Sequence, residues 1–493
     1  MISDGVRVPF DAVVIGAGPA GSASAIGLAL NGWRVLLLEK STFPRDKVCG
    51  DFLSPFSLRA VDELGCGREL RALGANRVDR SSLYLNGEEI SSGWMPQVDN
   101  LDAYGLVVPR MTLDEILFRR AQAVGVDTVE GVEVQGIAVE RGGVDVIGRA
   151  DGRSRLYGGR MAIVASGARS SLPLRMGVAT RPRDAELIAL RAYYEGIDGD
   201  PRMSGIFFND DYFPGYAWLF PLGGGRANVG LGMVMDVAKR YGINVRTAFL
   251  RWLDTDARVR EMLGDGRRQG RIVGWPLTTY CGTHGNYGDR VLVVGDAASF
   301  VDPINGEGIH TALESARIAA SVADQGLRAG DLSASVLSRY EREWRSAFHR
   351  DLLTSDLIVT LLRNRELLPV WTLSLRMISR RAVLDPEFAA ICGGILAGVV
   401  PAHQSLSPKV TTSALTLPPD FWLRNAGEVR RAFEAVLTSL APTPRSGQSW
   451  DAKAVESKYA TSWLVEVVTK AWRLVNAFAN SDLRNVSRQL GCR

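Results

Sequence analysis

The chain has 493 residues, which is too long for one ordinary domain and indicates two or three. A hydrophobic content of 46% and a charged content of 23% are typical of a soluble globular protein, and a net charge of +4 gives no indication of nucleic-acid binding. The five cysteines are widely spaced and form no C-x-x-C pair, so no disulfide framework, structural zinc site or other metal site is predicted.

The sequence also bears on location. The N-terminus lacks the basic segment and long apolar run of a signal peptide. The most apolar late stretch, residues 388–400, is shorter than the roughly 20 residues needed to cross a bilayer. We therefore expect a cytoplasmic protein, either free or bound peripherally at the inner membrane surface. The oligomeric state stays open.

The first recognisable unit, residues 11–40, has the element order of a dinucleotide-binding βαβ unit. A short apolar strand leads into Gly16, Gly18 and Gly21 in G-x-G-x-x-G spacing, and a helix, a second strand and Glu39 follow. The first glycine allows a tight turn, the second lets the backbone approach a pyrophosphate, and the third lets helix and strand pack closely. The helix N-terminus attracts phosphates, and Glu39 can accept hydrogen bonds from a ribose.

Two further segments suit the same nucleotide. Residues 107–121 place Arg110 at the head of an amphipathic helix, where it could meet phosphates. Residues 160–177 form a strand that runs into a small-residue turn containing Gly167, the expected point where the chain returns to the nucleotide.

A later segment, residues 290–320, decides the type of nucleotide. It is an apolar strand that ends at Asp296, followed by a loop and a helix. A carboxylate at that strand end can hold a ribitol hydroxyl, and Gly306 and Gly308 let the backbone approach a flat ring. Together with the first unit, these segments predict one FAD, bound non-covalently.

The source of electrons is external to this site. The sequence contains no second G-x-G-x-x-G motif and no redox C-x-x-C pair. We expect a transiently bound donor, either NAD(P)H or a partner reductase.

Four sequence blocks carry a family resemblance: GAGPAG in the first loop, RDKVCGDFLSP beginning at Arg45, the aromatic block of residues 213–233, and residues 295–309. Over roughly residues 9 to 400 the chain resembles the geranylgeranyl reductase family of FAD-dependent oxidoreductases. That family has the glutathione-reductase-type FAD fold, which is shared with aromatic hydroxylases and halogenases. The resemblance implies that the Cys-Gly block packs beside the flavin and that the aromatic block faces the ring.

These arguments define the candidate site residues. The predicted FAD-binding residues are Gly16, Gly18, Ala20, Gly21, Glu39, Lys40, Arg45, Cys49, Gly50, Arg110, Gly167, Asp296, Gly306, Gly308 and Ile309. The candidate catalytic residues are Cys49, Tyr216 and Trp218. Phe52 departs from the family pattern, in which small residues are common at this position, and could alter access to the ring.

Cys49 has two interpretations. It is either a small side chain that fits under a flavin, or a thiol that shapes the flavin face or supplies a proton. Arg45 and Lys47 would favour a thiolate if they lay close in space. The alternating aromatic residues 216–220 likewise form either ordinary core or the wall of an apolar substrate slot, suited to a polyprenyl chain or another large apolar molecule.

The expected reaction is hydride transfer from reduced FAD to a carbon–carbon double bond of an apolar, isoprenoid-type substrate. A monooxygenase acting on a large specialised metabolite is the principal alternative, since hydroxylases share the fold. A halogenase is disfavoured because no lysine lies between Lys47 and Lys239, where halogenases of this fold carry their active-site lysine. A flavin that serves only as a scaffold, as in a cyclase, is a further alternative.

The predicted architecture is α/β: a Rossmann-like FAD domain, an antiparallel substrate sheet and a helical C-terminal region. The FAD domain is expected to comprise residues 1–75, 107–178 and 285–330, and the substrate sheet residues 76–106 and 179–284. A helical region should span 331–403, followed by a linker and helical extension over 404–493. Residues 401–418 look like the linker, and helices are predicted near 424–441 and 451–478. The extension lies outside the resemblance and could pack on the body, cap the substrate channel, form a dimer contact or lie on a membrane.

Overall fold

The computed structural model describes residues 10–98, 100–178, 186–282, 285–440 and 450–490. The predicted break between the two C-terminal helices, residues 441–448, lies outside the described residues, and so does Cys492. Within the described residues, no helix combines the length and the apolar character needed to cross a membrane.

The elements are numbered in chain order. The strands are β1 (Phe10–Ile15), β2 (Val35–Leu38), β3 (Phe52–Leu53), β4 (Asn76–Val78), β5 (Arg80–Leu85), β6 (Glu88–Trp94), β7 (Gly105–Val107), β8 (Asp127–Val129), β9 (Glu133–Glu140), β10 (Gly143–Ala150), β11 (Arg153–Val164), β12 (Glu186–Glu195), β13 (Met203–Phe208), β14 (Tyr216–Gly223), β15 (Arg226–Val234), β16 (Arg267–Thr278), β17 (Tyr287–Gly288) and β18 (Val291–Val293). The α-helices are α1 (Pro19–Leu30), α2 (Pro55–Glu63), α3 (Gly67–Ala72), α4 (Arg110–Ala123), α5 (Leu172–Arg175), α6 (Met235–Arg240), α7 (Val245–Thr255), α8 (Ala257–Leu263), α9 (Ile309–Ala329), α10 (Ala334–Leu337), α11 (Arg339–Trp344), α12 (Arg350–Leu362), α13 (Leu368–Leu384), α14 (Pro386–Leu396), α15 (Pro408–Leu415), α16 (Pro419–Arg424), α17 (Ala426–Leu440) and α18 (Trp450–Leu490).

The nucleotide unit is built on a parallel sheet. Strand β1 pairs in parallel with β2 and with β11, and β18 and β8 extend the sheet on either side. All four residues of β2 are buried, which explains why its sequence is uniformly apolar rather than alternating. Pro19 begins α1, where its missing N–H costs nothing, and the helix ends at Asn31. The Rossmann-like unit predicted from the sequence is confirmed.

The second layer is a largely antiparallel sheet of seven strands in the order β16-β12-β15-β14-β13-β5-β6, in which β13 and β5 alone pair in parallel. The predicted hairpin around Asn86 is present as β5 and β6, and Asn86 adopts the positive φ of 52° that such a turn requires. A small sheet, β3-β7-β4, stands beside it. The α/β fold with an antiparallel sheet is confirmed, while the predicted domain boundaries stay predictions.

Two apolar cores hold these layers. The larger core lies between the parallel sheet and helices such as α1, α4 and α9, and the smaller lies between the seven-stranded sheet and helices α6 to α8. Helix α9 ends at Gly330, whose φ of 71° closes the helix in the left-handed conformation. This helix therefore reaches from the nucleotide loops to the helical region.

The C-terminal region corrects one prediction. Residues 401–418 were predicted to be a linker, but they contain a 3-10 turn (Ala402–Leu406) and helix α15. The helix forms because the Ser407 hydroxyl accepts the Val410 N–H at 3.4 Å and Pro408 occupies the first helical position. The two helices predicted further on are confirmed as α17 and α18.

Helix α18 packs against α12 through buried polar contacts. The Lys470 ammonium is 2.9 Å from the Asp356 carboxylate, 2.7 Å from Glu466 and 2.8 Å from the Thr360 hydroxyl. The Trp463 indole donates to the Thr360 carbonyl at 2.7 Å, and Leu474 belongs to the larger core. The extension is thus joined to the body of the protein.

We expect Lys470→Met to lower the free energy of unfolding by about 3 kcal/mol, because it leaves the Asp356 carboxylate buried without its cation. Lys409→Met is the matched control, since that lysine pairs with Glu387 at an exposed position and should change stability little. Urea denaturation measures both. Equal losses of unfolding free energy in the two variants would show that the buried pair stabilises the fold no more than the exposed pair does.

Candidate functional site

The glycine loop between β1 and α1 has the geometry that nucleotide binding needs. Gly16 has a φ of 97°, and a Cβ atom on Gly21 would lie 1.7 Å from the Gly16 carbonyl oxygen. Neither position tolerates a side chain. Gly18 differs, because a Cβ there would meet only the Arg45 guanidinium, at 3.7 Å. The space above Gly18 is therefore open, as an approaching pyrophosphate requires.

The residues around this loop fit an FAD. The Glu39 carboxylate is buried at the end of β2, where it accepts the N–H groups of Ala17 at 2.8 Å and Ser41 at 3.0 Å. Helix α1 begins at Gly18 with no side-chain cap and no acidic residue in its first turn, so its free N–H groups suit a phosphate. The glycine loop and Glu39 would hold the diphosphate and a ribose.

Two arginines near the loop share one carboxylate. The Arg110 guanidinium contacts Asp114 through two hydrogen bonds of 2.7 and 2.8 Å, and Arg45 reaches the same carboxylate at 2.9 Å. Arg110 is 3% exposed, so it reinforces the wall of the site from within. Its predicted contact with phosphates stays a prediction.

The Cys-Gly block and the last nucleotide segment meet through an ion pair. The Lys47 ammonium lies 3.0 Å from the Asp296 carboxylate, joining residues that are 249 positions apart. Gly306, with a φ of 67°, and Gly308 line the following loop, and helix α9 begins at Ile309 without a side-chain cap. This second uncapped N-terminus lies in the same region as Asp296.

The remaining predicted contacts divide into two groups. A Cβ on Gly167 would meet no atom within 4 Å, and Ala20 is buried in the first turn of α1, so both lie where a nucleotide could approach. Lys40 is exposed just beyond β2, and its predicted contact with the cofactor stays a prediction.

Asp51 is the centre of the hydrogen-bond network beside Cys49. Its buried carboxylate accepts the Tyr193 hydroxyl at 2.6 Å, the Asn228 amide at 2.8 Å and the Arg110 backbone N–H at 3.2 Å. Burial outweighs these donors and raises the pKa of Asp51 to about 6. Its φ of 63° is unusual for a residue with a side chain, which marks the turn after Cys49 as a constrained one.

The condition for a thiolate at Cys49, two cations available to the sulfur, is not met. Lys47 pairs with Asp296 and Arg45 with Asp114, so neither cation is devoted to the sulfur. Burial raises the pKa of Cys49, an effect that the nearby Arg110 guanidinium only partly opposes. The side chain is therefore a neutral thiol at physiological pH.

The aromatic block forms a continuous row on β14. The Tyr216 and Trp218 rings are 6.2 Å apart, and the Trp218 and Phe220 rings 6.3 Å apart. Trp218 faces Gly230 across the sheet, where any Cβ would lie 2.1 Å from the indole. Gly230 thus lets the indole lie close against the sheet, and the row forms one apolar wall.

This wall is attached to the Cys-Gly turn. The Trp218 indole donates to the Asn228 side-chain oxygen at 3.0 Å, and the Asn228 amide donates to the Cys49 carbonyl at 2.8 Å. A Cβ on Gly50 would lie 3.0 Å from the Phe220 ring. The ring of Phe52, the departure noted in the sequence, lies 5.4 Å from the ring of Phe220 at an angle of 31° and so extends the wall.

A cavity of about 460 Å³ opens behind the loop of residues 302–309. Its lining includes Asp302 and Glu307, and burial raises the pKa of these carboxyls to about 6 and about 7. Glu307 accepts hydrogen bonds from Ser54 at 2.5 Å and Ser57 at 3.2 Å. The Tyr216 hydroxyl donates to the Asn305 carbonyl, which fixes this loop to the aromatic wall.

We expect Glu307→Gln to raise stability at pH 8 by about 2 kcal/mol and to have little effect near pH 4.5. The folded protein holds the Glu307 proton more tightly than the unfolded chain, so wild-type stability falls as pH rises from 4.5 to about 7. Glutamine keeps an oxygen for Ser54 and does not ionise.

Urea denaturation of the flavin-loaded protein across this pH range is the measurement. Glu63→Gln, at an exposed position of the cavity mouth, is the control and should show no such pH dependence. If the free energies of unfolding of wild type and Glu307→Gln changed with pH in parallel, the raised pKa of Glu307 would be contradicted.

The sequence did not identify Asn228, Tyr193 or Gly230 as site residues. All three lie on the seven-stranded sheet, far in sequence from Cys49, and only the pairing of β12, β14 and β15 brings them to it. The glycines at alternate positions of β15, opposite an aromatic strand, were the one available signal.

The site defines a class of protein. The glycine loop that suits a nucleotide is followed in the chain by the Cys49–Asp51 turn, and this turn faces the apolar wall on β14. This is the arrangement of an FAD-dependent oxidoreductase. Residues 9–191 match the family described as FAD binding domain, and residues 185–263 match the geranylgeranyl reductase catalytic domain.

Relatives and solved structures agree with this class. The chain is 34% identical over 325 residues to menaquinone reductase of Mycobacterium tuberculosis, covering 64% of this chain and 76% of the relative. It is 33% identical over 354 residues to digeranylgeranylglycerophospholipid reductase 2 of Methanothermobacter thermautotrophicus, covering 70% and 85%. A geranylgeranyl bacteriochlorophyll reductase-like protein from Thermoplasma acidophilum shares the fold, with a TM-score of 0.65, 22% identity and coverage of 85% and 99%. The chain belongs to the geranylgeranyl reductase family of FAD-dependent oxidoreductases.

Proposed function

We propose that this enzyme reduces carbon–carbon double bonds in the polyprenyl chain of a lipid. The observation that carries the proposal is the aromatic row on β14, which Asn228 ties to the Cys49 turn within the flavin-binding region. The relatives named for a prenylated quinone and for a digeranylgeranyl glycerophospholipid support the same substrate class. When bound, reduced FAD supplies the hydride.

The chain must supply the proton that completes the reduction. The Cys49 thiol is neutral because burial raises its pKa, so it has a proton to donate. Asp51 follows directly in the chain, and its carboxyl accepts hydrogen bonds from Tyr193 and Asn228. In this mechanism, Cys49 protonates the substrate carbon. The thiolate left behind is stabilised by the Asp51 backbone N–H and the Arg110 guanidinium, and it takes a new proton from water after the product leaves. The Tyr216 hydroxyl is engaged by the Asn305 carbonyl and holds the loop.

The aromatic wall has two tasks in this mechanism. An isolated alkene resists hydride attack, so positive charge must be stabilised as it develops on the substrate. The face of Trp218 can provide this, because its indole N–H is already bonded to Asn228 and its ring plane is fixed. The wall also excludes water from the reacting carbon atoms.

The electrons reach the site from outside. We propose NAD(P)H as the transient donor, with a partner reductase as the alternative. A single dinucleotide motif in the sequence supports a donor that does not stay bound.

The test is an anaerobic single turnover. Reduced enzyme is mixed with a digeranylgeranyl glycerophospholipid, which carries no quinone that could oxidise the flavin by itself, and flavin absorbance and product mass are followed. We expect reoxidation of the flavin and a product heavier by two hydrogen atoms for each double bond reduced. The fully saturated form of the same lipid is the control and should leave the flavin reduced.

The outcome that would overturn the proposal is equally concrete. No anaerobic reoxidation with this lipid, together with a product that gains one oxygen atom only in air, would assign the protein to the monooxygenases.

A further inference from the structure

Between residues 459 and 479, helix α18 buries a charged cluster beside Leu474 on its inward side and exposes large apolar side chains on its outward side. The side that faces α12 carries Lys470, which is 6% exposed, together with its partner Glu466. A surface helix ordinarily turns its charged residues to water and its apolar residues to the protein. In α18, the charged side chains of Lys470 and Glu466 instead make their contacts inside the protein.

The outward side of α18 is apolar. Between residues 459 and 479 the large apolar side chains with the greatest exposure are Leu464 (55%), Val465 (61%), Val468 (60%), Trp472 (66%) and Val475 (56%). From Leu464 to Val475 they follow one side of the helix for about 17 Å. We call these five side chains the outer face of α18.

Between residues 459 and 479, charge is nearly absent from the exposed side of the helix. Arg473 is the single charged residue among the exposed positions of 459–479, and its guanidinium reaches back to the Cys281 carbonyl at 3.5 Å. Helices α13 and α17 add further exposed apolar residues, including Val383 (68%) and Phe433 (63%). Most of the strongly exposed large apolar side chains in the described chain follow residue 370, although that part is about a quarter of the sequence.

Something apolar must therefore cover the outer face of α18. It presents on the order of 500 Å² of surface, whereas a stable interface buries roughly 800 Å² from each partner. This area is small for a second copy or a tightly bound protein. It suits a lipid surface, into which an apolar helix face sinks by roughly 5–10 Å.

We propose that the outer face of α18 lies in the surface of a lipid bilayer. This inference rests on the proposed function, because a polyprenyl lipid resides in the membrane and the enzyme must collect it there. Trp472 suits the boundary between headgroups and acyl chains, where indole rings concentrate. Because the face is nearly uncharged, binding should depend little on salt or on anionic lipid.

The experiment is flotation of the oxidised, FAD-loaded full chain with vesicles of phosphatidylcholine, with and without phosphatidylglycerol. The test variant combines Val465→Gln, Val468→Gln and Trp472→Gln. The control variant combines Trp94→Gln, Val139→Gln and Leu156→Gln, which replace exposed apolar residues of the sheets, 67%, 43% and 49% exposed. We expect the test variant to lose on the order of tenfold in vesicle partitioning and the control to keep it.

Flavin content and thermal unfolding show whether the test variant is folded. Light scattering, run in parallel, reports its oligomeric state. Wild-type protein that does not float, or a folded test variant that floats equally well, would overturn the proposal. A wild-type dimer that the test variant converts to monomer, with vesicle binding unchanged, would instead assign the face to self-association. No substrate is present in the flotation, so a failed reductase assay leaves this result intact.

Discussion

Gly18→Val is expected to give a folded protein that has lost its flavin, with affinity reduced by a factor of about 100 or more. Gly18 has a φ of −73° and a ψ of −175°, an extended conformation that valine adopts without strain. Its Cβ would meet only the Arg45 guanidinium, at 3.7 Å, so the protein itself has room for the side chain. The pyrophosphate does not, because the valine would occupy the space through which it approaches.

Two further variants serve as comparisons for the loss of flavin expected in Gly18→Val. Gly93→Val adds the same side chain at an open position on β6, away from the nucleotide loop, and should keep the flavin. Gly21→Ala should fail to fold, since its Cβ would lie 1.7 Å from the Gly16 carbonyl. Absorbance of the bound flavin and circular dichroism separate the outcomes. A Gly18→Val protein with a full flavin spectrum would show that this loop does not hold the diphosphate.

Cys49→Ala is expected to retain FAD and to lose turnover by a factor of about 100 or more, the usual contribution of a positioned proton donor. Its thiol is neutral because burial raises its pKa, and the turn that carries it is held by Asp51 and Asn228. Alanine fills most of the same space but carries no proton. The anaerobic reoxidation rate with a prenyl lipid is the measurement.

Cys66→Ala is the matched control. Cys66 is also buried, and burial raises its pKa to about 11, but it lies beside α3, away from the aromatic wall. Its replacement should leave the rate unchanged. Turnover at the wild-type rate in Cys49→Ala would show that Cys49 only fills space. Recovery of part of the rate in Cys49→Ser would support proton transfer by this side chain.

The nucleotide half of the site could be predicted from the sequence because its geometry is local. The turn at Gly16, the helix at Pro19 and the acid at Glu39 follow one another within 24 residues, and each has one structural solution. The apolar pattern of β14 is local in the same sense, so the aromatic row was also found.

The rest depends on contacts between distant segments. The sequence neighbours of Cys49 suggested a thiolate, but Lys47 and Arg45 find carboxylates on other elements. Asn228 matters only because β14 and β15 pair in the register that places it beside Trp218. Polar residues at 401–418 resembled a linker, yet a serine cap and a proline are enough to start a helix there. Nothing in the sequence alone fixes these partners.

The Lys47–Asp296 ion pair has a consequence for how the enzyme acquires its cofactor. The predicted flavin contacts begin at Gly16 and end at Ile309, and one side of the parallel sheet is completed only when β18 joins β11. A ribosome-bound chain that has not yet released about 310 residues has a glycine loop but no ribitol partner and no second helix N-terminus. We therefore expect FAD to be captured late in synthesis, after Asp296 and the start of α9 have left the ribosome.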